Sequence, residues 1–427
     1  MKIGIRILGC PKNTADCEIL AALLKKRGHE LVKDAAQADL VLIDTCGFIE
    51  AAKRETIDTI LDFVYYKKSR RDLKIAVKGC MVQRYYEELK KEIPEVDLWM
   101  GVLPPREVVK AIEKLKDNVK SPIPVYEDTD RFDLEDKPYA YIKIADGCDR
   151  NCTFCAIPLF KGKYKSRPIE ILVEEAKKLL EMGKKELVLV SQDSTAYGTD
   201  LYGFQALPDL LKGISKLKGD FWIRVMYLHP DYLTDEIIEA ISSVDKVVPY
   251  FEVPIQHASD KILKLMGRIK KKKELLKLFE RIRNASYEST IRTTVMVGFP
   301  GETEEDFQEL LDFIEKIHPD RMGVFVYSSE EGTVASTFKD KVEEDLAKER
   351  EEIVFSMALE LMGQSNERWL GKRIKVLIED DGVGRGITDA PEIDGNIMIK
   401  GNAKVGEFVK VLIKKTSDIA MEGEVVG

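Results

Sequence analysis

Long apolar runs are missing from this chain: no window holds about 18 uninterrupted apolar residues, the length of a membrane-crossing helix. The start, "MKIGIRILGC", carries no cationic leader ahead of an apolar segment, so the chain reads as cytoplasmic, with no membrane partner. An excess of positive charge is missing as well. Lys and Arg number 67 against 75 Asp and Glu, a net charge of -8, which excludes a broad cationic face holding nucleic acid by phosphate contacts alone. Cysteine is scarce, at seven in 427 residues. That excludes a disulfide-stapled scaffold, and in a reducing compartment grouped cysteines point to metal or catalysis first. What is present is 44% hydrophobic and 33% charged residues, a globular composition at a length sufficient for about three domains.

The first segment, 1–116, repeats one unit. The apolar strands "KIGIRILG", "LVLIDT" and "KIAVKG" end at Cys10, Cys46 and Cys80, spaced 36 and 34 residues apart, with helical patterns between them. In a parallel sheet all strand C-termini lie along one edge, so these three thiols can converge. Cys17 keeps step with Leu20 and Leu24 on the first helix and reads as a small buried thiol. An acidic, proline-containing stretch over 117–138, with 117–133 at its heart, reads as a linker. The segment 134–364 alternates six strand candidates (139–145, 186–191, 221–226, 249–253, 290–297, 321–326) with helical patterns, which predicts a partial parallel (β/α)6 barrel in an α/β chain. From 366 to 427 short runs separated by Gly, Asp and Asn predict a small antiparallel β-barrel.

After the first barrel strand comes "GCDRNCTFCAIP", with Cys148, Cys152 and Cys155 in a Cys-x-x-x-Cys-x-x-Cys array, at the end of β/α barrels where active sites sit. Structural zinc takes four protein ligands, and no fourth Cys or His follows at finger-like spacing. Three thiolates suit a 4Fe-4S cubane with one iron left open. A zinc site borrowing His229 or His257 is the open alternative.

This array, with Phe154 before its last cysteine and a barrel around it, resembles the radical S-adenosylmethionine (SAM) superfamily. The resemblance implies a 4Fe-4S cluster on Cys148, Cys152 and Cys155 that binds SAM at its open iron and cleaves it to a 5'-deoxyadenosyl radical. Over nearly the whole chain the layout is similar to the methylthiotransferases, with a last barrel of the TRAM type. Their pattern implies a second 4Fe-4S cluster on Cys10, Cys46 and Cys80 and a second SAM as methyl donor. The stretches "GCPKN" (9–13), "QDSTAYG" (192–198), "PIQHAS" (254–259) and "DAPEIDG" (389–395) resemble the branch acting on the β-carbon of an aspartate of small-subunit ribosomal protein S-twelve, free or in the ribosome. Lys161 and His229 depart from that branch, which more often has Arg and Tyr there. The last barrel has ten basic and eleven acidic residues, which suits a cationic protein partner better than RNA.

A reductant protein and a sulfur source are implied partners, and a monomer is the expected state. Expected SAM contacts lie at strand ends: Gln192, Arg224 and Gly298, with Asp193, Gln256, His257 and the "GFPGE" turn beside them. Arg224 as a structural ion pair, Thr303 with Asp306 as a helix cap and His257 as a structural histidine are the bland alternatives. No side chain is assigned as a catalytic acid or base. Two rival readings stay open: the same chemistry on tRNA adenosine, and a non-catalytic metal-binding module on an RNA-binding barrel.

Overall fold

The computed structural model describes residues 1–119 and 126–426. The N-terminal unit alternates β1 (Lys2–Ile7), α1 (Pro11–Lys26), β2 (Glu30–Leu31), β3 (Leu40–Thr45), α2 (Glu50–Lys67), β4 (Lys74–Gly79), α3 (Cys80–Glu92), β5 (Leu98–Met100) and α4 (Pro105–Lys114). Its five strands form one parallel sheet in the order β2-β1-β3-β4-β5. All residues of β3, and all but the first of β4, are buried, as strands covered by helices on both faces must be. The C-termini of β1, β3 and β4 share an edge, and Cys10, Cys46 and Cys80 follow there.

The central unit runs through β6 (Tyr139–Lys143), β7 (Ala145–Asp146), α5 (Ile157–Lys161), β8 (Lys165–Ser166), α6 (Ile169–Glu181), β9 (Glu186–Val190), α7 (Leu207–Ser215), β10 (Trp222–Val225), α8 (Asp235–Ser243), β11 (Tyr250–Glu252), α9 (Asp260–Leu265), α10 (Lys272–Ala285), β12 (Thr290–Val297), α11 (Glu304–Ile317) and β13 (Arg321–Val326). Strands β6, β9 and β10 pair in parallel, as do β11, β12 and β13. The bridge between Ile223 and Val247 joins the two halves into an open six-stranded barrel. Its outer face packs on the helices through Ile142, Leu187, Ile223, Phe251 and Ile291. Thr303 and Asp306 form the expected reciprocal cap on α11.

After α12 (Glu344–Glu367), strands β14 (Arg373–Asp380), β15 (Val383–Arg385), β16 (Asn396–Lys400), β17 (Phe408–Thr416) and β18 (Ala420–Val425) close a small barrel. One of its pairings, β16 with β18, is parallel, which corrects the expectation of antiparallel pairing throughout. Five strands cannot alternate direction around a closed ring, so one parallel seam is required. The loop 386–395 of this barrel enters the concave side of the central one. Asp389 accepts from Arg321, Glu392 from the hydroxyls of Tyr139 and Tyr141, and Asp394 from Tyr250 and Arg292.

The expected linker lies in part outside the described residues, and from Tyr126 onward it is a packed strap instead of a free tether. Tyr126 donates to Asp16 at 2.6 Å, and Arg131 bridges Glu18 of α1 to Glu175 of α6. Buried charges need such partners, and the acidic composition of the stretch does not reveal them. No helix among the described residues is long and apolar enough to cross a membrane.

Candidate active site

Three of the six grouped cysteines follow a glycine in the left-handed backbone region: Gly9, Gly79 and Gly147 precede Cys10, Cys80 and Cys148. At Gly147, φ is 76° and a Cβ would stand 2.1 Å from the Lys163 carbonyl oxygen. No larger residue fits there, so the glycine fixes how the chain turns into the cysteine loop. This Gly-Cys recurrence is a signal in the sequence that spacing alone overlooks.

Cys10, Cys46 and Cys80 are close enough for the first two to raise the third's pKa, and Cys148 and Cys152 act likewise on Cys155. The two sets adjoin. Cys80 packs with Val102, and with Ala156 and Phe160 from the turn and short helix just after Cys155. Desolvation pushes the Cys80 and Cys155 thiols up to about 12 and Cys148 to about 11. Backbone N–H groups oppose this at three sulfurs: Phe48 at Cys46, Arg150 at Cys148 and Ile157 at Cys155.

These features fit iron-sulfur ligation. Amides aimed at sulfur stabilise thiolates bound to iron, and burial keeps water from them. Among the described residues, no three His, Cys, Asp or Glu side chains converge on a point that one ion could fill. Cys17 stands apart, fully buried and donating to Asp44 at 3.1 Å.

Between the two sets lies a buried charge cluster. Asp146, fully buried, accepts from Lys143 at 3.1 Å, Lys161 at 3.3 Å and Gln192 at 2.6 Å, and the lysines hold its carboxyl well below the usual range despite desolvation. Lys161 faces Asp146 and lowers the pKa of Cys80, so it couples the domains electrostatically. Across the mouth, Glu330 accepts from Arg84 at 2.9 Å and Lys53 at 3.1 Å, which ties the N-terminal helices to the loop after β13.

The expected SAM contacts separate. Gln192 sits in the cleft, and its bond to Asp146 leaves a buried carbonyl oxygen with no partner. Asp193 instead accepts from Arg150 at 2.6 Å, beside Cys148. Gln256 holds a left-handed conformation, φ 72°, beyond the end of β11, where it bridges to Val295 of β12.

Arg224 is placed elsewhere than expected. It is fully buried, pairs with Glu186 at 2.6 Å and donates to the Ile387 carbonyl, so its ion pair belongs to the seam with the C-terminal barrel. Gly298 also serves packing, since a Cβ there would come within 2.5 Å of the Ala347 Cβ on α12. His257 is buried, accepting from the Ser259 amide at 3.0 Å and facing Glu302 at 3.4 Å. Tyr227 and Lys12, absent from the expected set, line the same cleft. Tyr227 adopts φ 64° at the end of β10, and Lys12 lies over its ring at 4.7 Å.

Comparison with known proteins covers all three units. The sequence pattern of the Radical SAM superfamily matches residues 142–314, that of the Uncharacterized protein family UPF0004 matches 2–101, and that of the TRAM domain matches 370–426. Among solved structures, the radical SAM methyltransferase TsrM from Kitasatospora setae, with cobalamin and a [4Fe-4S] cluster bound, has a similar fold. Its TM-score is 0.61 at 13% identity, covering 89% of this chain and 80% of that one. The ribosomal protein uS12 methylthiotransferase RimO of Thermotoga sp. (strain RQ2) is 55% identical over 430 residues, all of both chains. The protein of that name from Pseudothermotoga lettingae is 52% identical over 433 residues, again all of both chains. With two three-cysteine sets at one barrel mouth and identity of this degree from end to end, the chain belongs to the RimO family of radical SAM methylthiotransferases.

Proposed function

We propose that this chain inserts sulfur at the β-carbon of an aspartate of uS12, the protein S-twelve of the small subunit, and methylates it to give 3-methylthioaspartate. The observation that carries this reading is the meeting of two thiol sets from two domains, with Cys80 packed on the turn and helix that follow Cys155. The two 4Fe-4S clusters and SAM, when bound, supply the one-electron sulfonium cleavage, hydrogen abstraction, sulfur and methyl group. A general base cannot replace them, because the hydrogen on that carbon is not acidic enough for any side chain to remove.

The chain's own residues hold and orient. Cys148, Cys152 and Cys155 would carry the cluster that meets SAM, and Cys10, Cys46 and Cys80 the one that meets sulfur. Gln192, fixed by Asp146, would help hold SAM through its unpartnered carbonyl oxygen. Arg224, paired with Glu186, and Gly298, packed close to Ala347, brace the walls of this cleft. An electron-donating protein and a sulfur source complete the reaction in the cytoplasm, and the closed three-domain body acts as a monomer.

Mass spectrometry of uS12 from cells with and without this gene tests the substrate. One methylthio group on one aspartate, lost on deletion, is the expected result; unmodified uS12 with methylthiolated tRNA overturns it. In the purified enzyme, Cys46→Ala should abolish sulfur insertion while 5'-deoxyadenosine still forms under reduction. Iron content should then fall from about eight to about four per chain, as loss of one cubane requires.

A further inference from the structure

Lys12 is a buried cation short of partners. It lies in the first turn of α1, is 8% exposed, and among the described residues its ammonium donates only to the Ser191 carbonyl, at 3.3 Å. The Tyr227 ring covers it at 4.7 Å. Among the described residues no carboxylate oxygen lies within 4.0 Å of it, whereas Lys143 reaches Asp16 and Asp146, and Lys161 reaches Asp146. An ammonium has three donors, and one carbonyl and one ring face satisfy it less fully than a carboxylate would, so the buried charge gains free energy when an anionic acceptor arrives.

Its surroundings say where that acceptor would sit. The charge of Lys12 is felt by Cys46 of the first thiol set, by Asp146 beneath the second and by Glu252 at the end of β11. Neither acid neutralises it: Asp146 is shared by Lys143, Lys161 and Gln192, and Glu252 accepts the Tyr227 amide at 2.9 Å and faces Arg292 at 3.5 Å. Tyr227 holds its left-handed backbone at this point, a strained conformation of the kind that accumulates where a ligand is gripped. Among the described residues, Lys12 thus brings a cation without a carboxylate partner to the side of the cleft nearest Cys46 and Asp146.

We propose that Lys12 binds the side-chain carboxylate of the substrate aspartate. This rests on the uS12 reading above and adds the contact that selects the residue. The reacting carbon of an aspartate is bonded directly to its carboxylate carbon, so a cation fixed on that group sets which face of the reacting carbon looks toward Cys10, Cys46 and Cys80. A side chain without the charge leaves the buried ammonium unsatisfied, and sites built around a polar partner reject analogues lacking it.

The test compares binding of uS12, and of uS12 with the target Asp→Asn, to the cluster-loaded enzyme and its Lys12→Met variant. Iron analysis and electron paramagnetic resonance of each variant establish that both clusters are present. Wild type should favour the aspartate form by roughly tenfold or more, Lys12→Met should bind both forms alike, and Lys12→Arg should keep part of the preference. If Lys12→Met fails to load both clusters, Lys12→Gln takes its place in the comparison. Retained discrimination in a fully loaded neutral variant overturns the proposal. So does equal weakening toward both forms, which would set the ammonium against the sulfur centre instead. Absence of methylthio transfer to uS12 by wild type overturns the underlying reading, a separate result.

Discussion

His229 shows how one buried side chain sets an acid limit on stability. Its Nδ1 accepts the Asp231 amide at 3.2 Å, and its Nε2 faces the Arg268 guanidinium, a pure donor, with the Cys152 sulfur 3.8 Å away, so both ring nitrogens are engaged in a way that a second ring proton would disrupt. Burial, with Arg268, Arg150 and Lys270 nearby, pushes its pKa down to about 2. Below about pH 6.5 the unfolded chain takes up a proton that the folded chain refuses, so stability falls as pH drops, by up to about 1.4 kcal/mol per unit. His229→Gln should flatten this limb, read as urea midpoints of both proteins between about pH 4 and 7. A limb of equal slope in the variant would assign it to other groups. At this scale the sequence pointed to the six grouped cysteines, because their spacing is local or periodic, and the structure gathers them into two neighbouring sets. For Arg224 a structural ion pair was one of two readings, but its partners were hidden, because Glu186 and Ile387 lie 38 and 163 residues away.

At the scale of elements, the turn from β4 into α3 aims Cys80. Gly79 has φ 114°, and a Cβ there would stand 2.6 Å from the Thr45 carbonyl oxygen of the neighbouring strand. Gly79→Ala must shift Cys80 while leaving the Cys148 loop alone. Iron should fall toward about four atoms per chain, with the spectrum of the remaining cluster unchanged. The six barrel strands were legible within a few residues of their ends, since buried parallel strands make continuous apolar runs. The two-residue strands β7 and β8 were not. They pair through Ala145–Ser166 and Asp146–Lys165, too short to carry a period.

For the molecule as a whole, the C-terminal barrel supports the central one from within. Arg321 donates to Asp389 at 2.7 Å, and both are nearly inaccessible. Asp389→Ala leaves that guanidinium with only the Asp320 carbonyl and Asn366, and should cost about 3–5 kcal/mol. Thermal unfolding of the variant checks this; an unchanged midpoint would show the seam to be dispensable. The order of the three units was readable from changes of pattern along the chain. Their mutual packing was not, because its apolar contacts, such as Trp222 on Phe408, and its buried ion pairs join residues far apart in sequence.

The loop 386–395 adds a matter of timing. Glu392 accepts hydrogen bonds from Tyr139 and Tyr141, 253 and 251 residues upstream. A ribosome builds the chain from its N-terminus, and domains fold as they emerge. All six grouped thiols thus leave the ribosome well before the segment that closes the chamber beneath them. Metal loading of a half-made chain would meet an open-bottomed vessel, and the finished catalyst exists only once the late-made stopper has seated.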